Sequence, residues 1–188
     1  DNTVYTVPDN ILSILSGTNS STMLFEGGEQ FRVVDLLHCI LMRSAADASV
    51  TLAIGVAGSV DQFVKMMNEY AASVGCDNTN FVNVTGLDDD GQYTTAADVA
   101  RMMADASKDD RFCRISTSTT YDFPASGDYE RRTLYTTNLM LLSGYPSYYY
   151  SNLTAAKTGS TSNAGRCVAA VASRDGYSYV AVVMKGPY

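Results

Sequence analysis

The sequence predicts an α+β fold in which helices precede an antiparallel sheet, with a three-layer sandwich as the related arrangement. The helical prediction comes from several segments between residues 33 and 110 whose apolar residues recur at helical spacing. The sheet prediction comes from two apolar runs, at 167–172 and 179–184, joined by Arg174-Asp175-Gly176. Asp-Gly is a strong hairpin signal because both central positions can adopt positive φ, so the two runs are expected to pair as antiparallel strands.

Length and composition are those of one globular domain. The 188 residues are 46% hydrophobic and 18% charged. We expect a single domain over 1–188, with a helical lobe at about 33–110 and a sheet-forming part at about 111–188. The net charge of −7 argues against a nucleic-acid partner, because such binding needs a basic face.

The first two helices are predicted from their apolar residues. Apolar residues at 33, 36, 37, 40 and 41 predict a helix over 33–43. Ser44 lies one turn after Ile40 on the same face, so its side chain is expected to point inward. Residues 47–57 are apolar almost all round, which predicts a buried helix that Gly58 closes.

Two further helices carry capping signals at their N-termini. Ser59 and Gln62 have the spacing of a capping box, and Thr95 stands three residues before Asp98. Gly75 is expected to end the first of these helices. The apolar stripes are Phe63, Met66, Met67 and Tyr70 in the first helix, and Val99, Met102, Met103 and Ala106 in the second.

The remaining segments are expected to be strands and loops. Residues 1–31 predict strands and loops, 80–87 an extended segment, and 113–130 strands. The tyrosines at 148–150 either line a groove or pack within a loop, and we favour packing.

No metal site is predicted. The four cysteines contain no C-x-x-C pair, and the single histidine, His38, is interpreted as a structural residue that packs on a helix. Asp88-Asp89-Asp90-Gly91 resembles half a calcium loop, but it lacks the EF-hand spacing and the final glutamate. We interpret it as a solvated turn.

Lys157-Thr158-Gly159, followed by Ser160-Thr161, is the most informative motif. An ammonium beside small residues on a strand edge can hold a ligand carboxylate and leave backbone N–H groups available. Lys-Thr-Gly is one of three motifs that mark penicillin-binding proteins and class A β-lactamases.

The whole chain resembles the serine-type D-alanyl-D-alanine carboxypeptidases, the low-molecular-mass penicillin-binding proteins. The resemblance implies a β-lactamase/transpeptidase-like fold, with an antiparallel sheet and a helical lobe. It rests on an ordered set of segments: Ser21-Thr22-Met23-Leu24, Gly28, 43–48, 63–68, Thr79-Asn80-Phe81, Gly86-Leu87, 93–98, Thr137-Asn138-Leu139, 157–161 and Ala164-Gly165.

The resemblance implies a substrate-binding strand. In that family a serine attacks the carbonyl between the two terminal D-alanines of a peptidoglycan stem peptide, and water releases the product from the acyl-enzyme. Lys157 and Thr158 would bind the terminal carboxylate of the substrate, and Gly159 and Thr161 would also be substrate-binding residues. Gly159 has no side chain, so the substrate backbone can approach closely.

The resemblance also implies three catalytic residues, Ser44, Lys157 and Ser160. Ser44 matches the serine of the family's Ser-x-Asn motif, which relays a proton to the departing amine. The backbone N–H of Ser160 would be an oxyanion-hole donor, and one such donor typically lowers the barrier by ~3 kcal/mol.

Two departures from the family pattern bear on activity. No Ser-x-x-Lys occurs in the sequence, so the nucleophile is expected outside this chain, in a missing N-terminal segment or a second chain. The fold is expected to be incomplete at both termini. Ala46 occupies the third position of Ser-x-Asn and can neither donate nor accept a hydrogen bond. A catalytically inactive homologue that binds peptidoglycan peptides or a cell-wall partner is therefore an alternative, and a class A β-lactamase-like enzyme is another.

The implied substrate is a peptidoglycan stem peptide ending in D-Ala-D-Ala, with β-lactams as inhibitors. No metal or organic cofactor is expected. The implied location is extracytoplasmic, secreted or tethered to the outer face of the bacterial cytoplasmic membrane.

Overall fold

The computed structural model describes residues 2–125 and 130–187. Helices and strands alternate only at the N-terminus, and the long strands follow the helices. The helices are α1 (Ile11–Ile14), α2 (Val33–Arg43), α3 (Ala46–Ala57), α4 (Val60–Ser73), α5 (Ala96–Ala106) and α6 (Asp110–Ser116), with a 3-10 helix at Leu139–Leu141. The strands are β1 (Val4–Thr6), β2 (Gln30–Arg32), β3 (Thr120–Phe123), β4 (Arg132–Tyr135), β5 (Leu153–Thr161), β6 (Gly165–Arg174) and β7 (Tyr177–Gly186).

The described strands form three antiparallel sheets. β1 pairs with β2, β3 pairs with β4, and the largest sheet has the order β5-β6-β7. The β6–β7 turn is the predicted Asp-Gly hairpin, with φ of 53° at Asp175 and 81° at Gly176. Lys157 lies opposite Ala169 in β6, so the lysine motif is on β5, an edge strand among those described.

Two apolar clusters support this arrangement. The larger one contains Phe25, Phe31 and Phe123, which pack with ring centroids 4.3 to 6.0 Å apart and bring β2, β3 and the 21–25 segment against α2. The smaller one packs α5 and α6 on β5 and β6, with Met103 and Val171 among its buried members. The helices thus cover one face of the β5-β6-β7 sheet.

Most helix boundaries agree with the sequence predictions. α2 has the predicted bounds, and α3 begins one residue earlier than predicted. Gly58, at φ 81°, ends α3, and Gly75, at φ 78°, follows the end of α4. The hydroxyls of Ser59 and Thr95 accept hydrogen bonds from the backbone N–H groups of Gln62 and Asp98.

Four predictions of secondary structure and burial are wrong. Residues 11–14, inside the region 1–31 that was predicted as strands and loops, form the short helix α1. Residues 113–116 of the predicted strand region 113–130 belong to the helix α6, which Asp109 caps. The helical part therefore extends beyond the predicted boundary at residue 110. Residues 126–129 of that region lie outside the described residues. Met66 and Tyr70 of the predicted apolar stripe are each 45% exposed. The tyrosines at 148–150 are between 41% and 59% exposed, so they do not pack within the loop as predicted.

His38 has the structural role that was predicted for it. Its Nδ1 lies 2.8 Å from the carbonyl oxygen of Val34, and its ring stacks on Tyr121 with centroids 3.5 Å apart. The Tyr121 hydroxyl donates to Asp35, which Arg32 also binds through two nitrogens. Burial lowers the pKa of His38, so the imidazole is neutral at pH 7.

Within the described ranges, no group of three His, Cys, Asp or Glu side chains could hold a metal ion. No single described helix is long and apolar enough to cross a bilayer, and the one pair that reaches the length and hydropathy together, α3 with α4, is bent by 85°.

Candidate active site

Ser44 lies in the turn between α2 and α3 and not on the face of a continued helix. α2 ends at Arg43, and the N–H of Ser44 donates to the carbonyl of Ile40, which is the single bond of an αL helix ending, while the N–H of Ala45 donates to the carbonyl of Cys39. Ser44 therefore has the left-handed conformation, with φ of 55° and ψ of 38°. The prediction that its side chain points inward is wrong, because the left-handed residue turns the chain away from the buried face and leaves Ser44 exposed.

A buried carboxylate holds this turn in place. Asp47, in the first turn of α3, is 1% exposed and accepts backbone N–H bonds from Met23 at 2.8 Å and Phe25 at 3.1 Å. The N–H of Ala46 donates to the carbonyl of Ser21 at 2.8 Å. The 21–25 segment is thus tied to the start of α3, directly after Ser44. Sequence reasoning did not find this role for Asp47, although a carboxylate in the first turn of a helix was a visible signal.

Lys157 reaches Ser44 from the sheet, and the open edge of β5 beside this contact, at Gly159, is called the cleft below. The lysine lies on β5 and is half-buried, and its Nζ donates to Ser44 Oγ and, at 2.7 Å, to the carbonyl of Thr158. An ammonium has three N–H donors, and these two contacts leave one for a ligand oxygen. The helical part and the large sheet therefore meet at the pair of residues that the sequence analysis selected.

Burial lowers the pKa of Lys157 to about 8 from its ordinary 10.5. The ammonium is favoured at pH 7, but it can give up a proton at a modest free-energy cost. A lysine of this kind can act as a cationic anchor and can also exchange a proton with the serine hydroxyl that it contacts.

The three residues after Lys157 line the same strand edge. Thr158 is half-buried, while Gly159 and Ser160 are exposed. A Cβ added to Gly159 would have no described atom within 4 Å, and Gly159 has no positive φ. Neither packing nor backbone conformation within the described residues requires glycine there, so the strand leaves open space for a ligand.

Thr161 differs from the other predicted substrate-binding residues. Its hydroxyl donates to Asp88 Oδ1 at 2.5 Å, and the Asn163 N–H donates to Asp88 Oδ2 at 3.3 Å. The three aspartates of the turn are exposed, as the interpretation of 88–91 as a solvated turn predicts, but the carboxylate of Asp88 also binds the end of β5. Only tertiary structure reveals this contact, because 73 residues separate its partners.

Ala46 is 2% exposed and lies at the first position of α3, two residues after Ser44. Its side chain offers no polar group to the cleft. The departure from Ser-x-Asn that the sequence showed is therefore located beside the serine and lysine.

The fold agrees with that of known transpeptidases. The Streptomyces K15 DD-transpeptidase superposes with a TM-score of 0.88 at 24% identity, covering 100% of this chain and 73% of that one. A D-alanyl-D-alanine carboxypeptidase from Mycobacterium tuberculosis H37Rv superposes with a TM-score of 0.81 at 22% identity, covering 100% of this chain and 76% of that one. The predicted β-lactamase/transpeptidase-like fold is thus confirmed.

Sequence comparison shows the family. The model of peptidase family S11, D-alanyl-D-alanine carboxypeptidase, matches residues 2–187. The chain is 33% identical to the D-alanyl-D-alanine carboxypeptidase DacF of Bacillus subtilis over 87% of its length, and 31% identical to DacC of Escherichia coli over 88%. It spans 40% and 39% of those two relatives. These matches do not favour the class A β-lactamase or inactive-homologue alternatives, and the chain belongs to the D-alanyl-D-alanine carboxypeptidase family S11.

Proposed function

We propose that the protein containing this chain is a serine-type D-alanyl-D-alanine carboxypeptidase that trims peptidoglycan stem peptides through an acyl-enzyme. The observation that carries the proposal is the contact between Lys157 and Ser44 beside the cleft. This contact places a cation that can hold a carboxylate next to a hydroxyl that can transfer a proton. Hydrolysis next to a free C-terminus requires both groups.

The substrate would lie along β5. Its terminal carboxylate would accept the remaining N–H of Lys157 and the hydroxyl hydrogen of Thr158, and its backbone would pass over Gly159. The N–H of Ser160 would donate to the oxyanion, a contact typically worth ~3 kcal/mol in the transition state.

The reaction would proceed in two steps. A nucleophilic serine from residues outside these 188 attacks the penultimate carbonyl, and the C–N bond to the last D-alanine breaks. Ser44 already accepts a hydrogen bond from Lys157, so its own hydroxyl hydrogen is available for the departing amine. Lys157 can return a proton to Ser44 because burial lowers its pKa to about 8, near neutral pH, and the proton that the nucleophilic serine releases then replaces the one that Lys157 loses. Water then releases the shortened peptide, and no step needs a metal or an organic cofactor.

The same site accounts for the proposed inhibitors and location. β-Lactams present an acylating carbonyl and a carboxylate, so they would occupy the cleft and acylate the same serine. A substrate in peptidoglycan places the enzyme outside the cytoplasm, secreted or tethered at the outer face of the membrane. The net charge of −7 is consistent with a substrate held by one local lysine and not by a broad basic surface.

Labelling with a fluorescent penicillin tests the proposal. We expect the complete gene product that contains this chain to form a covalent adduct, and to release D-alanine from a peptide ending in D-Ala-D-Ala. A folded sample that acquires no label and releases no D-alanine would contradict the proposal. The Lys157→Met variant is the matched control, because methionine keeps the length of the side chain and removes the charge.

Ala46 is the specific observation behind the inactive alternative. Ala46→Asn would add a donor and an acceptor beside the Ser44–Lys157 pair, and we expect acylation to become about tenfold faster. The cost is about 1–3 kcal/mol of stability, because Ala46 is buried. Absence of acylation in both forms would instead support a homologue that only binds cell-wall peptides.

A further inference from the structure

We propose that Asp88 is a positioning residue that fixes the C-terminal end of β5 by accepting a hydrogen bond from the hydroxyl of Thr161. The inference rests on the proposed function, and it assigns Thr161 to the support of the strand and not to direct contact with the substrate. It also gives the 88–91 turn a role that its sequence did not reveal.

The hydrogen bonds around Thr161 determine where its proton goes. A threonine hydroxyl has one hydrogen to donate, and Asp88 Oδ1 accepts it at 2.5 Å. The hydroxyl oxygen in turn accepts the N–H of Ala164 at 3.0 Å, and Asp88 Oδ2 accepts the N–H of Asn163 at 3.3 Å. One carboxylate therefore holds both the last residue of β5 and the turn that leads into β6.

The segment that presents Asp88 is itself held by side-chain amides. The carbonyl of Leu87 accepts bonds from Asn83 Nδ2 at 3.1 Å and Gln92 Nε2 at 3.0 Å. Asn83 Oδ1 also accepts the N–H of Gly86 at 2.8 Å. Two side chains thus hold Leu87, the residue immediately before Asp88, and limit the movement of the turn.

The same segment is anchored to the helical part. Asn68 of α4 makes two hydrogen bonds to the backbone of Phe81, donating to its carbonyl at 2.8 Å and accepting its N–H at 2.7 Å. Asn80 and Tyr93 form an antiparallel bridge that closes the segment between them. Asp88 therefore lies in a loop between α4 and α5 that these hydrogen bonds and the bridge hold in place.

Among the described residues, contacts between side chains at two points consequently join the helical part to β5. One connects Ser44 to Lys157, and the other connects Asp88 to Thr161. Thr161 lies four positions after Lys157 on β5, which is about 13 Å of strand. Gly159 and Ser160 lie between the two bonds, so the contact of Asp88 sets how far the strand can move from the helical part where the scissile bond would lie.

The experiment compares variants of the complete gene product by their rate of acylation with a fluorescent penicillin. We expect Asp88→Ala and Thr161→Val each to lower the second-order rate constant about tenfold. The loss in the double variant should be smaller than the product of the two single losses, because both substitutions remove the bond between Asp88 and Thr161. Thr161→Ser should restore most of the rate lost in Thr161→Val, since it returns the hydroxyl. Asp90→Ala changes the same charge in the same turn and should react like the wild type.

A second measurement does not depend on activity. Hydrogen exchange of the Asn163 and Ala164 amides should become faster in Asp88→Ala and stay unchanged in Asp90→Ala. Unchanged exchange, or rate losses that multiply in the double variant, would overturn the role of Asp88. If the wild type does not react with penicillin, the proposed function fails, while the exchange measurement still decides whether Asp88 holds the strand end.

Discussion

At the scale of single residues, Ser44 occupies a conformation that serine rarely adopts. Its φ of 55° is left-handed, where a side chain with a Cβ costs about 1–2 kcal/mol relative to glycine. The αL ending of α2 favours glycine at this position. A serine retained in such a place points to a requirement for its hydroxyl, and the contact with Lys157 supplies one.

A pair of substitutions separates backbone strain from chemistry at Ser44. Ser44→Gly and Ser44→Ala both remove the hydroxyl, but only glycine relieves the left-handed strain. We expect Ser44→Gly to exceed Ser44→Ala in free energy of unfolding by about 1 kcal/mol, measured in urea, while both variants lose acylation alike. Equal stabilities would mean that the residue is not strained.

The pKa of Lys157 predicts how carboxylate binding depends on pH. Burial lowers this pKa to about 8, so the ammonium is fully present below that value and is lost as pH rises through it. We expect the second-order rate constant for penicillin acylation to fall above about pH 8. Lys157→Arg keeps its charge throughout this range, so its profile should show no such fall. A wild-type profile that stays flat to about pH 10 would contradict the assignment.

The same pKa has a consequence for stability. The unfolded lysine holds its proton up to the ordinary value of 10.5, while the folded one releases it near 8. Between these values the unfolded state binds more protons, so this group makes the free energy of unfolding rise with pH. Binding and stability should therefore change in opposite directions across this interval.

At the scale of elements, the site depends on the junction between α2 and α3. Asp47 accepts two buried backbone N–H groups from the 21–25 segment and so fixes the start of α3. Burial raises the pKa of its carboxyl, while the backbone donors oppose that change. The position of Ser44 thus depends on a contact 22 to 24 residues away in sequence.

Removing this carboxylate should loosen the junction. Asp47→Ala leaves the buried N–H groups of Met23 and Phe25 without their acceptor, and we expect a loss of about 2–5 kcal/mol in the free energy of unfolding. Asp61→Ala, in the exposed first turn of α4, should cost less than about 1 kcal/mol. Similar losses in the two variants would show that Asp47 does not anchor the segment.

Local signals predicted some elements well. The apolar spacing at 33–43 and the Asp175-Gly176 turn depend on nearby residues alone, and both agree with the structure. The exposure of Ser44 depends on its own left-handed conformation, which the sequence does not indicate because serine rarely adopts it. The contact between Asp88 and Thr161 depends on where two distant segments meet, which no periodicity encodes. Lys157 and Ser44 could be paired from the sequence only through the family resemblance.

At the scale of the whole molecule, the residues of the proposed site come from two parts, the helical part and the β5-β6-β7 sheet. The helices α5 and α6 pack on the sheet through Met103, Phe112 and Val171. Ser44 lies in the turn between α2 and α3, Asp88 lies in the loop between α4 and α5, and their partners Lys157 and Thr161 lie on β5. These contacts form only if the helical part and the sheet keep a fixed separation.

We propose that the chain unfolds as one cooperative domain, because the helices and the sheet share packed residues. The sequence has 13 tyrosines and no tryptophan, and Tyr70 is the one tyrosine in a described helix, so tyrosine fluorescence reports mainly on the loops and strands while far-ultraviolet circular dichroism reports mainly on the helices. We expect the two probes to give the same midpoint in urea. Separate midpoints would divide the helical part from the sheet.

The central claim is that Lys157 holds a carboxylate beside Ser44, and the acylation rates of a penicillin and its methyl ester test it most directly. In the complete gene product, esterification should slow acylation about 10- to 100-fold, because it removes the charge that Lys157 binds. In Lys157→Met the acid and the ester should react at nearly the same reduced rate. An ester penalty that is equally large in both proteins would contradict the claim.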